Sequence, residues 1–289
     1  MVREVLRALS PRAGGVYCDV TVGAGGHSAA IMEACPGCRI VGLDRDGLAL
    51  ALAGDRLAAS SAGGWSLHHV PSSSVGIAME EAGLTSFDGV LADLGVSSMQ
   101  LGDAGRGFSF QLSGPLDMRM DGGDGETALE VIRRSTPGDL ERILRDDAGE
   151  RFAGRVARAV HRAVRGGDIR DTIDLARVVR GAIGRARSGS VDSATRTFLA
   201  LRMAVNRERD ELESLLAAVP GILAPDGVFA CLSYNSVEDG MVKRALRDWA
   251  SRGLGEILTR KPMVPTEEEV ATNPRARSAR MRAFRRLLK

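Results

Sequence analysis

The stretch "DVTVGAGGHS", residues 19–28, decides how the fold of this chain is interpreted. It follows an apolar run, precedes a segment of helical character, and contains Gly23, Gly25 and Gly26 within four positions. Glycine adopts positive φ angles at little steric cost and lets backbone N–H groups approach a ligand closely. A glycine-rich turn between a strand and a helix therefore predicts a ligand site at this point of the chain.

Strand-like and helix-like segments alternate on both sides of this stretch. The predicted strands are 14–22, 39–46, 65–70 and 87–98, and the predicted helices between them are 27–34, 47–60 and 75–83. A further strand at 226–234 and a helix at 236–252 continue the pattern. Such alternation is typical of an α/β fold with a parallel, doubly wound sheet.

The pattern changes between residues 104 and 190, where Arg, Asp and Gly are frequent and helical periodicity occurs without a convincing strand. The segment "GRARSGSVDS", 184–193, is typical of a linker, and one long helix is predicted over 194–223. We therefore predict a discontinuous α/β domain, residues 1–103 and 191–289, with an inserted all-helical domain, residues 104–190.

Composition and charge exclude several classes of protein. The 289 residues carry a net charge of +2, so any nucleic-acid contact must come from local basic clusters. Four cysteines do not make a disulfide scaffold, and nothing completes a metal site around Cys35 and Cys38. No apolar run reaches membrane-spanning length and the start lacks a signal peptide's hydrophobic centre. We expect no metal and no membrane association, and a homodimer stays open.

Asp44 follows Gly26 by eighteen residues and ends the second predicted strand. At this position a carboxylate accepts hydrogen bonds from the hydroxyls of an adenosine ribose, so the loop and Asp44 together predict an adenosine cofactor. A nicotinamide dinucleotide and S-adenosylmethionine both fit this pattern. Because His27 occupies the helix start that a pyrophosphate would need, a cofactor without phosphates is favoured.

Several longer strings carry a family resemblance: "LADLGVSSMQL" (91–101), "GPLDMRMD" (114–121), "TRTFLALRMAVN" (195–206) and "NPRARSARMR" (273–282). With the glycine loop they make the chain similar to the MraW-type 16S rRNA (cytosine-N4)-methyltransferases from residue 2 to residue 287. The resemblance implies a class I, Rossmann-like fold that uses S-adenosylmethionine, with the helical insert recognising the substrate. It implies N4-methylation of a cytidine in the decoding region of small-subunit rRNA, in a 30S-type subunit. A bacterial cytoplasm is expected, with the mitochondrial matrix as the alternative.

The resemblance also implies which residues bind the cofactor: Gly25, Gly26, His27, Asp44, Ser72, Asp93 and Gln100. The glycines and His27 are expected along the methionine part of the cofactor. Asp44 is expected at the ribose and Asp93 beside the adenine.

The chemistry of the reaction points to three catalytic candidates, Asp93, Ser233 and Asn235, all at predicted strand ends. The amino lone pair of cytosine is delocalised into the ring, so a hydrogen-bond acceptor on the amine would raise its nucleophilicity. We expect Asn235 and the strand-end backbone to contact the amine, with Asp93 committed mainly to the cofactor.

RNA contacts are expected from aromatic and basic side chains. The target base must be unstacked, and Phe108, Phe110 and Tyr234 are candidates to stack on it, with core packing as the alternative for the phenylalanines. One basic stripe on a predicted helix contains Arg151, Arg155, Arg158, Arg162 and Arg165. The last fifteen residues hold seven basic side chains, among them Arg275, Arg277 and Arg280, and no acidic one. Phosphate binding explains both, and a solvated face is the alternative.

Some positions depart from the family pattern. "SYNSVEDG", 233–240, stands where the family usually has "SFHSLEDR", so Asn235 replaces a histidine and Gly240 an arginine. Ser72 replaces a phenylalanine, and the apolar stretch that usually opens the sequences is missing before Met1, so we expect a truncated or misassigned start. These departures leave a second hypothesis, a non-catalytic relative that binds small-subunit rRNA as an assembly factor.

Overall fold

The computed structural model describes residues 1–60, 63–184 and 192–287, and the chain divides into two units. The sheet unit comprises Met1–Gly95 and Asp210–Lys289, and the helical unit comprises Val96–Arg209. The predicted domain boundaries at 103/104 and 190/191 differ from these. Residues 185–191, which include the second predicted boundary and most of the predicted linker, lie outside the described residues.

All strands of the described residues belong to the sheet unit. They are β1 (Val16–Asp19), β2 (Arg39–Asp44), β3 (Gly64–His69), β4 (Phe87–Asp93), β5 (Leu223–Ser233), β6 (Gly255–Ile257) and β7 (Arg280–Arg286). They form one sheet in the order β3-β2-β1-β4-β5-β7-β6, in which β1 to β5 are parallel and β7 is antiparallel to both neighbours. The strand order reverses between β1 and β4, and ligands of open α/β sheets bind at the carboxyl ends of the strands at such a switch point.

The α-helices of the described residues, in chain order, are α1 (Val2–Leu9), α2 (Gly26–Ala34), α3 (Gly47–Ala59), α4 (Val75–Glu81), α5 (Ser98–Gly102), α6 (Ala128–Arg134), α7 (Pro137–Ala148), α8 (Ala153–Gly166), α9 (Thr172–Ile183), α10 (Thr195–Val205), α11 (Glu208–Ile222), α12 (Ser236–Ser251) and α13 (Glu267–Thr272). None of them has both the length and the apolar composition that crossing a membrane requires.

The strands of the sheet contribute alternate side chains to two apolar clusters. Cys18 and Val90 pack in a cluster with residues of α4, α11 and α12, whereas Tyr17 and Leu91 pack in a cluster with residues of α1, α2 and α3. Because successive strand residues point to opposite faces, the two clusters cover the two faces of the sheet. The predicted doubly wound α/β fold is therefore confirmed.

The single long helix predicted over 194–223 is wrong, because the chain breaks it into α10 and α11. Arg207 has a φ of 48°, which no helix interior tolerates. The Asn206 side chain accepts a hydrogen bond from the Met120 N–H at 2.7 Å and donates one to the Met118 carbonyl at 2.7 Å. These bonds join two of the strings on which the family resemblance rests.

Helix α10 explains why the helical unit extends further than the predicted insert. Its side chains Phe198 and Leu201 are buried in the same apolar cluster as residues of α6, α7, α8 and α9. The ends of these helices follow from local sequence. Helix α7, for example, begins with a capping box at Thr136 and Asp139 and ends at Gly149, whose φ is 61°.

The strands β6 and β7 were not predicted. The tail was interpreted as an exposed basic segment, yet Met281, Ala283 and Phe284 of β7 are all buried in the sheet. Arg282 is buried beside them, so the middle of the strand is covered on both faces, and the burial of an arginine is not visible in a run of basic residues.

Candidate active site

The glycine loop follows β1 at the switch point, and its backbone requires glycine. Gly23 and Gly25 have φ angles of 53° and 76°, in the left-handed region. A Cβ on Gly25 would also lie 3.2 Å from the Cα of Ala53, so α3 passes close to the loop. Helix α2 begins at Gly26, and no side chain of the described residues caps it. Its first N–H groups are thus free to bind a ligand.

Asp44 ends β2, as the sequence predicted, and also contacts the glycine loop. Its Oδ2 accepts a hydrogen bond from the Gly23 N–H at 2.8 Å, and its Oδ1 accepts one from the Asp46 N–H at 2.9 Å. Burial raises the pKa of Asp44, although these backbone hydrogen bonds oppose the shift. Each carboxylate oxygen can accept more than one hydrogen bond, so Asp44 keeps capacity for two hydroxyls of a ribose.

Asp93 ends β4 on the other side of the switch point. Its N–H donates to the Thr21 Oγ1 at 2.6 Å, which ties the end of β4 to the turn after β1. Its Oδ1 accepts a hydrogen bond from the Tyr234 hydroxyl at 2.8 Å, and its Oδ2 lies 3.5 Å from His27 Nε2. The side chain remains 28% exposed, so a bound molecule can reach the carboxylate.

His27 lies in the first turn of α2 with one ring nitrogen toward Asp93. Its other nitrogen, Nδ1, is buried and has no hydrogen-bond partner in the described part of the chain. Burial lowers the pKa of His27, but the hydrogen bond and charge of Asp93 and the charge of Asp19 outweigh it, so the pKa is raised. A buried ring nitrogen without a partner is typical of a site that a ligand completes.

Asp19 is a polar residue of this site that the sequence reasoning did not single out. It is buried at the end of β1, where it accepts hydrogen bonds from the Ser28 hydroxyl at 2.8 Å and the Thr21 N–H at 3.2 Å. Burial raises the pKa of Asp19 to about 6, although the charge of His27 opposes the shift. A carboxylate at the end of a buried strand, directly before the glycine loop, was the signal available in the sequence.

Ser233 and Asn235 lie at the end of β5, as predicted, but their side chains have structural contacts. The buried Ser233 hydroxyl donates to the Arg280 carbonyl at 3.4 Å. Asn235 is the N-cap of α12, and its Oδ1 accepts hydrogen bonds from the N–H groups of Val237 and Glu238, both at 3.0 Å. This oxygen was expected to contact the substrate amine, and the helix cap corrects that expectation.

The other two predicted cofactor residues differ in their surroundings. Ser72 begins the 3₁₀ turn Ser72–Ser74 after β3 and is half-buried. Gln100 belongs to the helical unit, where its Oε1 accepts a hydrogen bond from the Ser97 N–H at 2.9 Å and completes the capping box of α5. This capping role is distinct from the expected contact with a cofactor.

The cysteine pair lies next to the candidate site's helix but away from its start. Cys35 and Cys38 are buried, free thiols at the end of α2. The residues described contain no cluster of three or more His, Cys, Asp or Glu side chains that could hold a metal ion.

The two phenylalanines expected to stack on a base lie in or against the core of the helical unit. Phe108 is 7% exposed and belongs to the apolar cluster, which favours the core alternative for this residue. Phe110 is half-buried and packs edge-to-face on Phe198, with 4.9 Å between ring centroids. The Arg180 guanidinium lies 5.5 Å from the Phe110 ring.

The predicted basic stripe lies on and just before α8. Its members are exposed and form no ion pair with any described residue: Arg151, Arg155, Arg158, Arg162 and Arg165. Opposite this stripe, Val156 and Val160 are fully buried. The stripe therefore presents uncompensated positive charge to solvent.

The arginines of the tail divide into two groups. Arg275 and Arg277 are exposed and have no ion pair within the described ranges. Arg280 and Arg282 both form ion pairs with Asp239 of α12, at 3.3 Å and 2.7 Å. The expectation of a tail without acidic partners is thus wrong for Arg280, because its partner comes from a distant part of the sequence.

The direction of β7 determines where the free arginines lie. Because β7 is antiparallel to β5, its first residue, Arg280, pairs with Ser233 at the carboxyl end of β5. The 3₁₀ turn Pro274–Ser278, which carries the free arginines, directly precedes this point. Arg285 lies near the opposite end of β7, where it forms an ion pair with Glu256. The free pair therefore lies beside the edge where the candidate site is found, whereas Arg285 lies away from it.

Comparisons with known proteins find one family that matches nearly the whole chain. Residues 1–287 match the family described as the MraW methylase family. The curated protein named ribosomal RNA small subunit methyltransferase H from Sorangium cellulosum is 52% identical over 286 residues, which cover 99% of this chain and 89% of that protein. The protein of the same name from Pelobacter propionicus is 42% identical over 305 residues, covering 99% and 97%.

Proposed function

Because the chain belongs to the MraW methylase family, we propose that it transfers a methyl group from S-adenosylmethionine to N4 of a cytidine in the decoding region of small-subunit rRNA. The observation that carries this proposal is the convergence of the glycine loop, Asp44 and Asp93 at the carboxyl ends of β1, β2 and β4. The names of the curated relatives support the small-subunit rRNA as substrate. A bacterial cytoplasm is the compartment that we propose for this protein, in keeping with the bacterial relatives.

S-adenosylmethionine is the cofactor of this family, and the residues present fit it. The left-handed glycines and the uncapped start of α2 would hold its methionine part, and Asp44 would hold its ribose. The unpartnered His27 Nδ1 supplies a buried hydrogen-bonding group next to the same helix start. When bound, the cofactor supplies a methyl group made reactive by a positively charged sulfur.

The protein's part of the chemistry is to position the cytosine amine and to accept its hydrogen bond. We assign this role to Asp93, because the Asn235 oxygen is occupied by the backbone of α12. A carboxylate that accepts the amine N–H increases electron density on the nitrogen and stabilises the positive charge that develops there. The partial exposure of Asp93 leaves room for that contact.

The RNA backbone is proposed to bind two basic surfaces. Arg275 and Arg277, next to the carboxyl end of β5, would contact phosphates close to the target nucleotide. The arginine stripe of α8 would contact phosphates elsewhere on the RNA, which makes the helical unit a substrate-recognition domain.

The test is a transfer assay with methyl-labelled cofactor and purified ribosomal subunits from cells that lack the modification. We expect label in small-subunit RNA and none in large subunits, which serve as the matched control. Asp93→Ala should retain cofactor binding and lose transfer by about a hundredfold or more. Intact subunit binding without any transfer would instead support the non-catalytic assembly factor, the hypothesis kept open by Asn235.

A further inference from the structure

Side chains from two other elements of the sheet unit contact the Asp93 carboxylate. The Tyr234 hydroxyl, at the end of β5, donates to Oδ1 at 2.8 Å, and His27 Nε2, on α2, lies 3.5 Å from Oδ2. Thr21 in addition binds the backbone N–H of the same residue. The Tyr234 hydrogen bond thus restrains the carboxylate through one oxygen, while lone pairs on both oxygens remain for a substrate.

From this contact we propose that Tyr234 is a positioning residue for methyl transfer, which orients the Asp93 carboxylate toward the substrate amine. The inference rests on the proposed function, since the amine is the group that Asp93 would meet. A strand-end carboxylate otherwise rotates freely about its last torsion, because that torsion has broad minima. A hydrogen bond to one oxygen removes this freedom, and pre-organised groups contribute most to catalysis.

Tyr234 is suited to this role because its hydroxyl stays protonated. Burial and the negative charge of Asp93 raise the pKa of Tyr234 well above its ordinary value. The phenol therefore remains a hydrogen-bond donor at neutral pH. His27, whose pKa is raised by the same carboxylate, lies 3.5 Å from the other oxygen.

The experiment compares Tyr234→Phe with wild type in kcat, KM for the small subunit, cofactor affinity by calorimetry and thermal stability. The family pattern quoted above has phenylalanine at this position, so the ring itself is accommodated. The matched control is Tyr17→Phe, which removes the only other tyrosine hydroxyl, one that accepts a hydrogen bond from the Arg12 N–H at 2.8 Å. We expect Tyr234→Phe to lower kcat by about 10- to 100-fold, with cofactor affinity and KM within about twofold, and Tyr17→Phe to retain kcat.

A double-mutant cycle with Asp93→Asn separates positioning from a general structural effect. If Tyr234 acts through Asp93, Tyr234→Phe has no further effect on the residual rate of Asp93→Asn, because the two changes are not additive. An unchanged kcat in Tyr234→Phe, or a loss that adds fully to that of Asp93→Asn, overturns this inference alone. A wild-type protein that transfers no methyl group overturns the proposed function and this inference with it.

Discussion

The substitution Asp44→Asn tests the cofactor site most sharply, because it changes charge and one acceptor but almost no volume. In the structure each Asp44 oxygen already accepts one backbone hydrogen bond, from Gly23 and from Asp46. An amide keeps one acceptor and turns the other atom into a donor, so one of these backbone N–H groups loses its partner in either orientation. The ribose hydroxyl on that side loses its acceptor as well.

The expected loss of cofactor affinity follows from the hydrogen bond that Asp44→Asn removes. A hydrogen bond to a charged group contributes about 1.5–3 kcal/mol, which corresponds to a loss of about 10- to 150-fold in affinity for the cofactor. Isothermal calorimetry with S-adenosylmethionine and with its demethylated product measures this loss directly. The demethylated product should be affected equally, since the ribose is common to both.

Two controls make the result interpretable. Asp55→Asn, at an exposed carboxylate on α3, changes the same charge without touching the loop and should bind as wild type does. A thermal melt establishes that Asp44→Asn is folded. Wild-type affinity in a folded Asp44→Asn protein would refute the assignment of Asp44 to the ribose.

Three further outcomes are expected. Replacing Arg275 and Arg277 by alanine should weaken small-subunit binding and lower the slope of log affinity against log salt by about 1.4–1.8. The control Arg285→Ala should leave the slope unchanged, because Arg285 is already paired with Glu256. Equal slopes in the two variants would show that Arg275 and Arg277 only face solvent. Arg158→Glu on α8 should weaken small-subunit binding about tenfold without altering cofactor affinity. A filter-binding titration that shows unchanged subunit affinity would exclude the arginine stripe of α8 from the RNA interface. Burial raises the pKa of Asp19 from 3.8 to about 6, so the folded state binds the Asp19 proton more tightly and the free energy of unfolding falls as pH rises between those values. Asp19→Asn should lack this fall when urea unfolding is measured from pH 4 to pH 7. Parallel plots of unfolding free energy against pH for wild type and variant would contradict this prediction.

The sheet unit could be predicted from sequence because its signals are local. The strand β1, the glycine loop and Asp44 all lie within residues 16–44 and follow a spacing set by the geometry of a βαβ unit. The alternation of strands and helices fixed the fold class in the same way. The break between α10 and α11 was missed because it depends on Asn206 bonding to a segment 86 residues earlier in the chain.

The chemistry of the site was less accessible, since its contacts join distant residues. The hydrogen bond between Tyr234 and Asp93 spans 141 positions, and nothing near either residue indicates it. Asn235 shows a different difficulty, because the same side chain can cap a helix or bind a ligand, and only the structure shows that its oxygen is taken. The tail was interpreted as uniformly free charge because Asp239, the partner of Arg280 and Arg282, lies about forty residues away.

The proposed function depends on which atom of the RNA is methylated, and nucleoside analysis of the product identifies that atom. Small subunits that lack the modification are incubated with the wild-type protein and methyl-labelled S-adenosylmethionine, and the RNA is digested to nucleosides for mass spectrometry. We expect the label in N4-methylcytidine, located in a decoding-region fragment. Label in any other nucleoside, such as a cytidine methylated on ring carbon, would contradict it.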